Sequence, residues 1–223
     1  MKIFTDIEGF LGKKVYRDKR LIKLKERFNS KKITFVSIEF TKENIANCEG
    51  LFLKKDSLLD YIITDLDKAE ALLEKGQKQE LLERVVKILE EEKTLLSSFK
   101  EEEIAELKNF SFITAKPIVL SEGGDSEDTL ERIIDECGYI SFFAAGEKEA
   151  RAWLIKKGST IVDAAGKIHT DLAKGFIRAE VYNVDGLDEY KNPHDARARG
   201  IMKVVDRQYI INNGDVIDIK FKV

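Results

Sequence analysis

His169 is the first candidate for a catalytic residue, because an acidic residue follows it closely. His169 is followed by Thr170 and then by the carboxylate of Asp171, and a histidine oriented by an acid is a common general base. Residues two apart on a helix do not face each other, however, and no serine or cysteine nucleophile is identifiably paired with His169. We therefore predict no catalytic residue. A structural role at a helix end and a contact with a polar ligand or RNA remain the two interpretations of His169.

A glycine-containing segment near the N-terminus, Gly9-Phe10-Leu11-Gly12-Lys13-Lys14, is the second candidate. A phosphate-binding loop needs a glycine-rich turn whose backbone N–H groups surround phosphate, followed by Lys and by Ser or Thr for charge and Mg²⁺. Here the glycine spacing is short and no Ser or Thr follows Lys13. We interpret the segment as the start of a strand, and the sequence contains no GxxxxGK[ST] pattern.

Basic side chains form the third candidate, a nucleic-acid-binding surface. Together with His169, the residues are Arg151, Lys156, Lys157, Lys167, Lys174 and Arg178. Such cations bind phosphates without reading the base sequence. The same surface would be extended by the N-terminal cations Lys13, Lys14, Arg17, Lys19, Arg20, Lys23 and Lys25. An ordinary solvated basic face is the equally open alternative.

The amino-acid composition argues against several other kinds of site and location. The two cysteines, Cys48 and Cys137, provide no disulfide framework and suit a reducing cytoplasm. Neither has a histidine at the spacing of a ligand pair, so we expect no metal site, and we expect no cofactor. No apolar run approaches the roughly 20 residues of a membrane-spanning helix, and Met1–Asp6 has no apolar signal core. We therefore expect a cytoplasmic protein with no membrane partner.

The elements that position these residues change in character along the chain. Asp18–Phe28 has a helical pattern, and Lys32–Phe40 is rich in β-branched and aromatic residues, as strands are. From Asp56 to about Leu107 a leucine stripe predicts two amphipathic helices packed as an antiparallel hairpin, with a turn at Lys75–Lys78 and one break at Glu92. The stripe is either the hairpin's own core or a partner surface.

After the hairpin the pattern is that of short strands and helices. Ser111–Leu120 is predicted as a strand in which Pro117 suits an early or edge position, and a helix is predicted from about Thr129 to Cys137. Further strands are expected at residues 140–143, 151–156, 176–181, 209–211 and 216–223, the last two paired around Asn212–Asp215, with a helix at 161–172. This succession predicts a small β-grasp-like α+β domain from Tyr139 onward.

Charge is divided unevenly along the chain. Residues 1–40 carry 11 Lys or Arg against 5 Asp or Glu, residues 57–107 carry 7 against 14, and residues 139–223 carry 14 against 12. Local patches, more than the net charge of −3, govern contact with a polyanion. We interpret the acidic middle as solvated helix faces.

The C-terminal residues resemble a known domain. Residues 142–182 are closely similar to the TGS domain that ends YchF-type Obg-like ATPases, most clearly at Ala165-Gly166-Lys167-Ile168-His169-Thr170-Asp171 and at Lys174–Ala179. The ending Asp206–Val223 is similar too. Upstream the resemblance is weaker, but it covers the hairpin at Asp56–Leu107, which is similar to the coiled-coil insertion of the family.

The resemblance also reaches the N-terminal part of the chain. Glu101–Pro117 is similar to the helix and strand that follow the family's hairpin. Ile7–Leu24 and Lys31–Phe40 are similar to the stretches around and after the family's first switch region. The resemblance therefore implies a family member that begins after its first strand.

The nucleotide site of the family is matched poorly. Besides the missing phosphate loop, Thr41-Lys42-Glu43-Asn44 stands where the family has Asp-x-x-Gly, and Ser121-Glu122-Gly123-Gly124 stands where Asn-x-x-Glu reads the base. The segment between Leu120 and Tyr139 is also too short for the family's last nucleotide-domain strand and helices. Because phosphoryl transfer depends on positioned charge, we expect that the chain is not an enzyme.

We therefore predict an α+β protein in three parts. Residues 1–56 and 108–138 would form a truncated α/β remnant of a P-loop-type nucleotide domain, 57–107 the antiparallel helical hairpin, and 139–223 a β-grasp TGS domain. The leading functional hypothesis is a non-catalytic binding module, and the resemblance implies the ribosome, tRNA or a translation factor as partner. An ATP- or GTP-binding protein, with a degenerate site or one completed by a partner chain, is the alternative. A homo-oligomer, joined through the hairpin or an exposed sheet edge, is a third possibility.

Overall fold

The computed structural model describes residues 1–76, 78–123, 127–189 and 193–222. Gln77 of the predicted hairpin turn and Gly124 of the segment at the base-reading position lie outside the described residues. The helices are α1 (Lys19–Arg27), α2 (Leu58–Glu74), α3 (Gln79–Glu90), α4 (Leu95–Ser98), α5 (Glu101–Leu107), α6 (Glu127–Glu136), α7 (Ile161–Ile168), α8 (Thr170–Lys174) and α9 (Pro193–Ala198). The strands are β1 (Lys2–Thr5), β2 (Gly12–Tyr16), β3 (Lys32–Thr34), β4 (Val36–Thr41), β5 (Gly50–Leu53), β6 (Ile118–Leu120), β7 (Tyr139–Ala145), β8 (Glu149–Lys156), β9 (Phe176–Asn183), β10 (Lys203–Val205) and β11 (Asp215–Phe221).

The chain folds into two compact units. The first contains residues 1–14 and 38–137, and the second contains residues 15–37 and 138–223. Each unit has its own sheet, and helices pack on these sheets. This confirms the predicted mixture of helices and strands. Residues 15–37, predicted to belong to the N-terminal remnant, pack with the C-terminal segment.

The N-terminal strand β1 lies at the centre of the sheet in the first unit, whose order is β2-β4-β1-β5-β6. It pairs in parallel with β4 and with β5, and β5 pairs in parallel with β6. Ile3 and Thr5, which share one face of this central strand, are fully buried. The expectation of a chain that begins after its first strand is therefore wrong, because residues 2–5 form the central strand.

The connection from β1 to β2 is short. A 3-10 turn, Glu8–Phe10, joins the two strands without an intervening helix. The Phe10 side chain is buried, with its ring centroid 5.4 Å from that of Phe40 and 4.6 Å from that of Phe52. These three rings stabilise the turn against the sheet by apolar burial and aromatic contact.

The predicted hairpin is formed by α2 and α3, whose apolar faces share a core that includes Ala69, Leu82, Val85 and Leu89. The second helix is shorter than its leucine pattern predicts. Glu92, at φ of 57°, has a left-handed backbone that an α-helix does not accommodate. The chain therefore breaks after α3, and the shorter helices α4 and α5 follow.

A buried carboxylate shapes the segment that leads to β6. Asp65 of α2 is 1% exposed and accepts hydrogen bonds from the backbone N–H of Ile113 at 2.9 Å and of Thr114 at 2.7 Å. Its carboxylate also accepts the Thr114 hydroxyl at 2.7 Å. Because these amides bind a side chain, they are not available to a strand neighbour. The strand predicted from Ser111 is therefore confined to residues 118–120.

The second unit is a six-stranded sheet of order β10-β9-β11-β7-β8-β3. Helix α1 packs on one face through Leu21 and Leu24, against Phe143 and Ala150. Helix α7 packs in a separate apolar cluster with Phe142 and other residues of the sheet. The region predicted as one strand, residues 32–40, is split: β3 joins this sheet and β4 joins the sheet of the first unit.

The C-terminal strand finds a different neighbour from the predicted one. β11 pairs antiparallel with β9 and parallel with β7. Residues 209–211 make only one isolated bridge, between Ile210 and Thr160. The turn is closed by Asp215, whose carboxylate accepts the Tyr209 hydroxyl and the Asn212 amide, each at 2.9 Å. These bonds hold the residues before the turn away from the strand pairing that the sequence pattern predicts.

Candidate functional site

The corner between α7 and α8 presents three of the predicted nucleic-acid-binding residues. α7 begins at a capping box in which Thr160 and Asp163 bond reciprocally. His169 then adopts an extended backbone, and its Nδ1 accepts the backbone N–H of Asp171 at 3.2 Å, which caps α8. His169 can contact Asp171, two residues later, because it precedes α8 and does not lie within the helix. Lys167 and Lys174 lie on either side of it, and all three side chains are exposed.

The predicted residues on strands lie on both faces of the sheet. Arg151 alternates with Ala150 and Ala152, which pack in the α1 cluster, so it points to the α7 face. Its guanidinium lies 5.2 Å from the Trp153 ring centroid. Lys156 is on the opposite face, 4.0 Å from the Tyr139 ring centroid.

Arg178 also points away from α7, because its neighbour Ala179 packs in the α7 cluster. Its cross-strand partner is Lys220 of β11. Lys157 follows β8 in an exposed turn. The structure therefore brings Lys167, His169 and Lys174 together and separates Lys156 and Arg178 from them by the thickness of the sheet.

The N-terminal cations are divided between the units. Lys13 and Lys14 belong to the first unit and Arg17–Lys25 to the second. Arg20 is engaged by the Asp18 carboxylate, with a shortest contact of 2.7 Å. Lys19 and Lys23 are exposed on α1, which packs in a different cluster from α7. Within the second unit, the cations of α1 therefore do not share a helix-packed face with those of α7.

The cations of the second unit differ in their partners. Lys32, Arg197 and Lys220 lie within 3.2, 2.6 and 2.6 Å of the carboxylates of Glu149, Glu180 and Asp218. Across the described residues, by contrast, no carboxylate lies within ion-pair distance of Lys167, Lys174, Arg151 or Arg178. These four cations can meet an external anion without breaking an internal ion pair.

A second group of charges, which the sequence pattern did not indicate, lies at the carboxyl edge of the parallel sheet in the first unit. Lys42 Nζ lies 3.0 Å from Glu8 Oε1, and Asp6 Oδ1 accepts the backbone N–H of Lys54 at 3.0 Å. The hydrogen bond from Lys42 holds the pKa of Glu8 below its usual value, with help from the charges of Lys42 and Lys54. Ligands of open α/β sheets bind at this edge. This group of charges could not be predicted from the sequence, because the predicted strands did not include β1.

The turn after β1 does not fit a phosphate loop. The Thr5 hydroxyl accepts the backbone N–H of Ile7 at 3.2 Å, and Phe10 turns inward to the aromatic cluster. Lys14 reaches back to the carbonyl of Gly9 at 3.0 Å. The glycine-containing segment is thus engaged within its own fold, as the sequence interpretation predicts for the start of a strand.

Metal sites and membrane-spanning helices are both absent from the part of the chain that the structure describes. It contains no group of three or more His, Cys, Asp or Glu side chains placed to hold a metal ion. None of its helices combines the length and apolar character needed to cross a bilayer.

Comparisons with known proteins agree with the resemblance. The family model for the YchF GTPase C-terminal domain, described as a protein of unknown function (DUF933), matches residues 139–222. A ribosome-binding ATPase YchF of Bacillus subtilis is 32% identical over 219 residues, which cover 94% of this chain and 57% of the relative. The corresponding protein of Escherichia coli O157:H7 is 41% identical over 109 residues, covering 47% of this chain and 30% of the relative.

A solved structure supports the fold. The YchF GTPase of Schizosaccharomyces pombe matches with a TM-score of 0.74 at 18% identity, covering 93% of this chain and 86% of that one. In length, this chain spans 57% of the Bacillus relative and 30% of the Escherichia relative. The prediction that the chain is not an enzyme is contradicted, because the proteins it matches are named as ATPases and a GTPase.

Proposed function

Because the chain is related to the YchF ATPases and GTPases over most of its length, we propose that it binds the ribosome through its second unit, acting as a TGS domain in the cytoplasm. The relatives named as ribosome-binding ATPases support the choice of partner. The observation that carries the proposal is the set of exposed cations without a carboxylate partner among the described residues, with Lys167 and Lys174 beside His169 at the α7–α8 corner.

Ribosomal RNA is the part of a ribosome that such cations recognise best. A phosphate bound by Lys167 or Lys174 replaces water and displaces counterions, and no internal ion pair is lost in the exchange. Each phosphate contact steepens the fall of affinity with salt by about 0.7 to 0.9 in the logarithmic slope. His169 would add a hydrogen-bond donor between the two lysines. Binding by this surface is therefore expected to be strongly salt-dependent and weakly dependent on RNA sequence.

The test is co-sedimentation of the full chain with purified ribosomes, and separately with bulk tRNA, over a salt series. The Lys167→Ala/Lys174→Ala variant removes the corner, and Arg178→Ala removes the cation on the other face. A matched control, Lys32→Ala/Lys220→Ala, removes two cations that are already ion-paired in the same unit. Net charge changes equally in the two double variants, so a difference between them reports position.

For the Lys167→Ala/Lys174→Ala variant, we expect the negative slope of log affinity against log salt to become shallower by about 1.5. The Lys32→Ala/Lys220→Ala control is expected to change this slope little. Equal losses in both double variants would mean a diffuse charge effect and would contradict the proposed corner. Binding to tRNA alone would shift the partner from the ribosome to tRNA. Absence of pelleting at low salt would refute ribosome binding through this unit.

A second candidate function is binding of ATP or GTP by the first unit. The position of Lys42 and Lys54 at the carboxyl edge of its parallel sheet favours it, because such sheets bind ligands there; a phosphate would replace Glu8 as the partner of Lys42. The two ammonium groups would meet the phosphates, in place of a glycine-rich loop. The missing loop leaves the site open to completion by a partner chain.

Calorimetric titration with ATP and GTP tests this candidate, with nucleotide hydrolysis measured in the same samples. We expect micromolar-range binding that the Lys42→Ala/Lys54→Ala variant loses. The control Lys87→Ala, which changes an exposed lysine on α3 of the same unit, is expected to retain it. No heat at millimolar nucleotide, with and without ribosomes present, would exclude the candidate. If the wild type hydrolyses nucleotide faster than the Lys42→Ala/Lys54→Ala variant, the carboxyl edge of this sheet supports hydrolysis as well as binding.

A further inference from the structure

An aromatic side chain is exposed at the end of the last strand in the second unit. Phe221 of β11 is 42% exposed, and its cross-strand partner Phe176 packs in the α7 cluster. Because paired residues of neighbouring strands point to the same face, Phe221 lies on the face of the sheet that α7 covers in part. Among the described residues, no aromatic ring or cation is placed against the Phe221 ring. The ring is therefore available to a planar group from outside.

Three cations surround this end of the sheet. Lys174 ends α8 directly before Gly175, whose carbonyl accepts the backbone N–H of Lys222 at 2.9 Å. Arg207 Nη1 donates to the carbonyl of Phe176, the residue after Gly175, at 3.2 Å. Lys174, Arg207 and Lys222 are exposed, and within the described ranges no carboxylate lies at ion-pair distance from any of them. An external anion can bind here without breaking an internal ion pair.

We propose that the β11-end surface, formed by Lys174, Arg207, Phe221 and Lys222, binds an unpaired nucleotide of single-stranded RNA. The base would stack on Phe221, and the neighbouring phosphates would bind the three cations. Single-stranded RNA suits such a surface because every base has a flat face and every nucleotide carries a phosphate. A duplex keeps its bases stacked within the helix and cannot place one on Phe221. This inference rests on the proposed function, since it names the form of RNA that the second unit binds.

The β11-end surface is continuous with the corner between α7 and α8, because Lys174 belongs to both. Lys167 and His169 of that corner are carried by the helices on the same face of the sheet as Phe221. An RNA strand that passes the corner can thus reach Phe221 without crossing the sheet. Arg178 points to the opposite face and lies outside this path.

Fluorescence anisotropy of the full chain with a labelled oligouridylate, and with an RNA duplex of the same length, tests the inference. We expect tighter binding of the single strand. Phe221→Ala is expected to weaken that binding about tenfold, since the stacked ring is lost, and to leave duplex binding unchanged. Phe221→Leu keeps an apolar side chain without a ring and is expected to lose as much. The matched control Val204→Ala, at a 59%-exposed apolar residue of β10, is expected to bind as the wild type does.

Two further variants separate the cations from the ring. Arg207→Gln/Lys222→Gln removes two charges while an amide can still donate to the carbonyl of Phe176. It is expected to make the negative slope of log affinity against log salt shallower by about 1.4 for the single strand. Phe221→Trp, with the chain's single tryptophan replaced by Trp153→Phe, places a reporter at the stacking position. Its fluorescence is expected to be quenched by oligouridylate and not by the duplex.

The outcomes distinguish this inference from the proposed ribosome binding. Equal affinity for single strand and duplex, or a folded Phe221→Ala protein that binds oligouridylate like the wild type, would overturn the inference. Ribosome pelleting that still depends on Lys167 and Lys174 would then leave the proposed function standing. Conversely, Phe221-dependent binding of oligouridylate by a chain that does not pellet with ribosomes would support the inference and remove the ribosome as partner. Polyglutamate that displaces the oligonucleotide as well as unlabelled RNA does would assign the surface to an acidic protein segment and overturn the inference.

Discussion

Removing the carboxylate of Asp65 is expected to destabilise the first unit far more than its single charge would suggest. The side chain is 1% exposed and accepts three hydrogen bonds, from the backbone N–H groups of Ile113 and Thr114 and from the Thr114 hydroxyl. Asp65→Ala leaves those donors without their acceptor in a region that water does not reach easily. Thr114 is itself fully buried, so its hydroxyl has no alternative partner in solvent.

The magnitude depends on the number of donors left unpaired. A buried donor that loses its partner costs about 1 to 3 kcal/mol, and the segment relaxes in part, so we expect about 4 kcal/mol in all. For a protein of this size, that loss lowers the melting temperature by about 8 to 16 °C if unfolding is two-state. Asp65→Asn keeps one oxygen acceptor and is expected to lose about half as much.

The assay is equilibrium unfolding in urea, followed by circular dichroism, with Asp67→Ala as the matched control. Asp67 lies on the same helix and is exposed, so its removal is expected to change the free energy of unfolding by less than about 0.5 kcal/mol. Amide exchange at Ile113 and Thr114 gives a local readout, since both amides donate to Asp65. Equal stabilities of the two alanine variants would refute the role of Asp65 as the anchor of this segment.

Two further outcomes are expected in the second unit. Burial and the hydrogen bond to Asp215 raise the pKa of Tyr209 above its ordinary value of 10.0, so its contribution to stability is complete below pH 10 and is lost as the pH rises through the raised pKa. Urea unfolding should show the wild type about 1 kcal/mol more stable than Tyr209→Phe at pH 8, with the difference shrinking above pH 10; a constant difference would contradict this. Gly175→Ala would place a Cβ 2.0 Å from the carbonyl oxygen of Lys222, so the end of β11 should separate and the Lys222 amide, which donates to Gly175, should exchange faster. Gly146→Ala, where a Cβ meets nothing within 4 Å, is the control and should leave that amide unchanged.

Sequence patterns predicted those helices and turns that depend on residues close together in the chain. Asp18 caps α1 by accepting the backbone N–H of Arg20, and the leucines at helical spacing in α1 are buried as predicted. The leucine stripe predicted α2 and α3, and the polar run Asn212–Asp215 predicted a turn. The edge position inferred from Pro117 is also confirmed, because β6 begins directly after it and ends the sheet.

The position of β1 was not predictable from its own residues. Four residues, Lys2–Thr5, have too little pattern to distinguish a strand from a loop, and their central place depends on hydrogen bonds to β4 and β5, dozens of residues away. The charged group at the carboxyl edge of that sheet was missed for the same reason. Only the pairing of β1 sets Asp6 and Glu8 beside Lys54 and Lys42.

The basic residues illustrate the same division. Their number and order, from Arg151 to Arg178, predicted a cationic surface, because the residue types alone make these side chains compatible with phosphate. The shared corner of Lys167 and Lys174, and the place of Arg178 on the other face, follow from strand alternation and helix packing, which set the direction of each side chain in the folded chain. Composition and local spacing are properties of neighbouring residues, whereas a site is made by contacts between residues far apart in the chain.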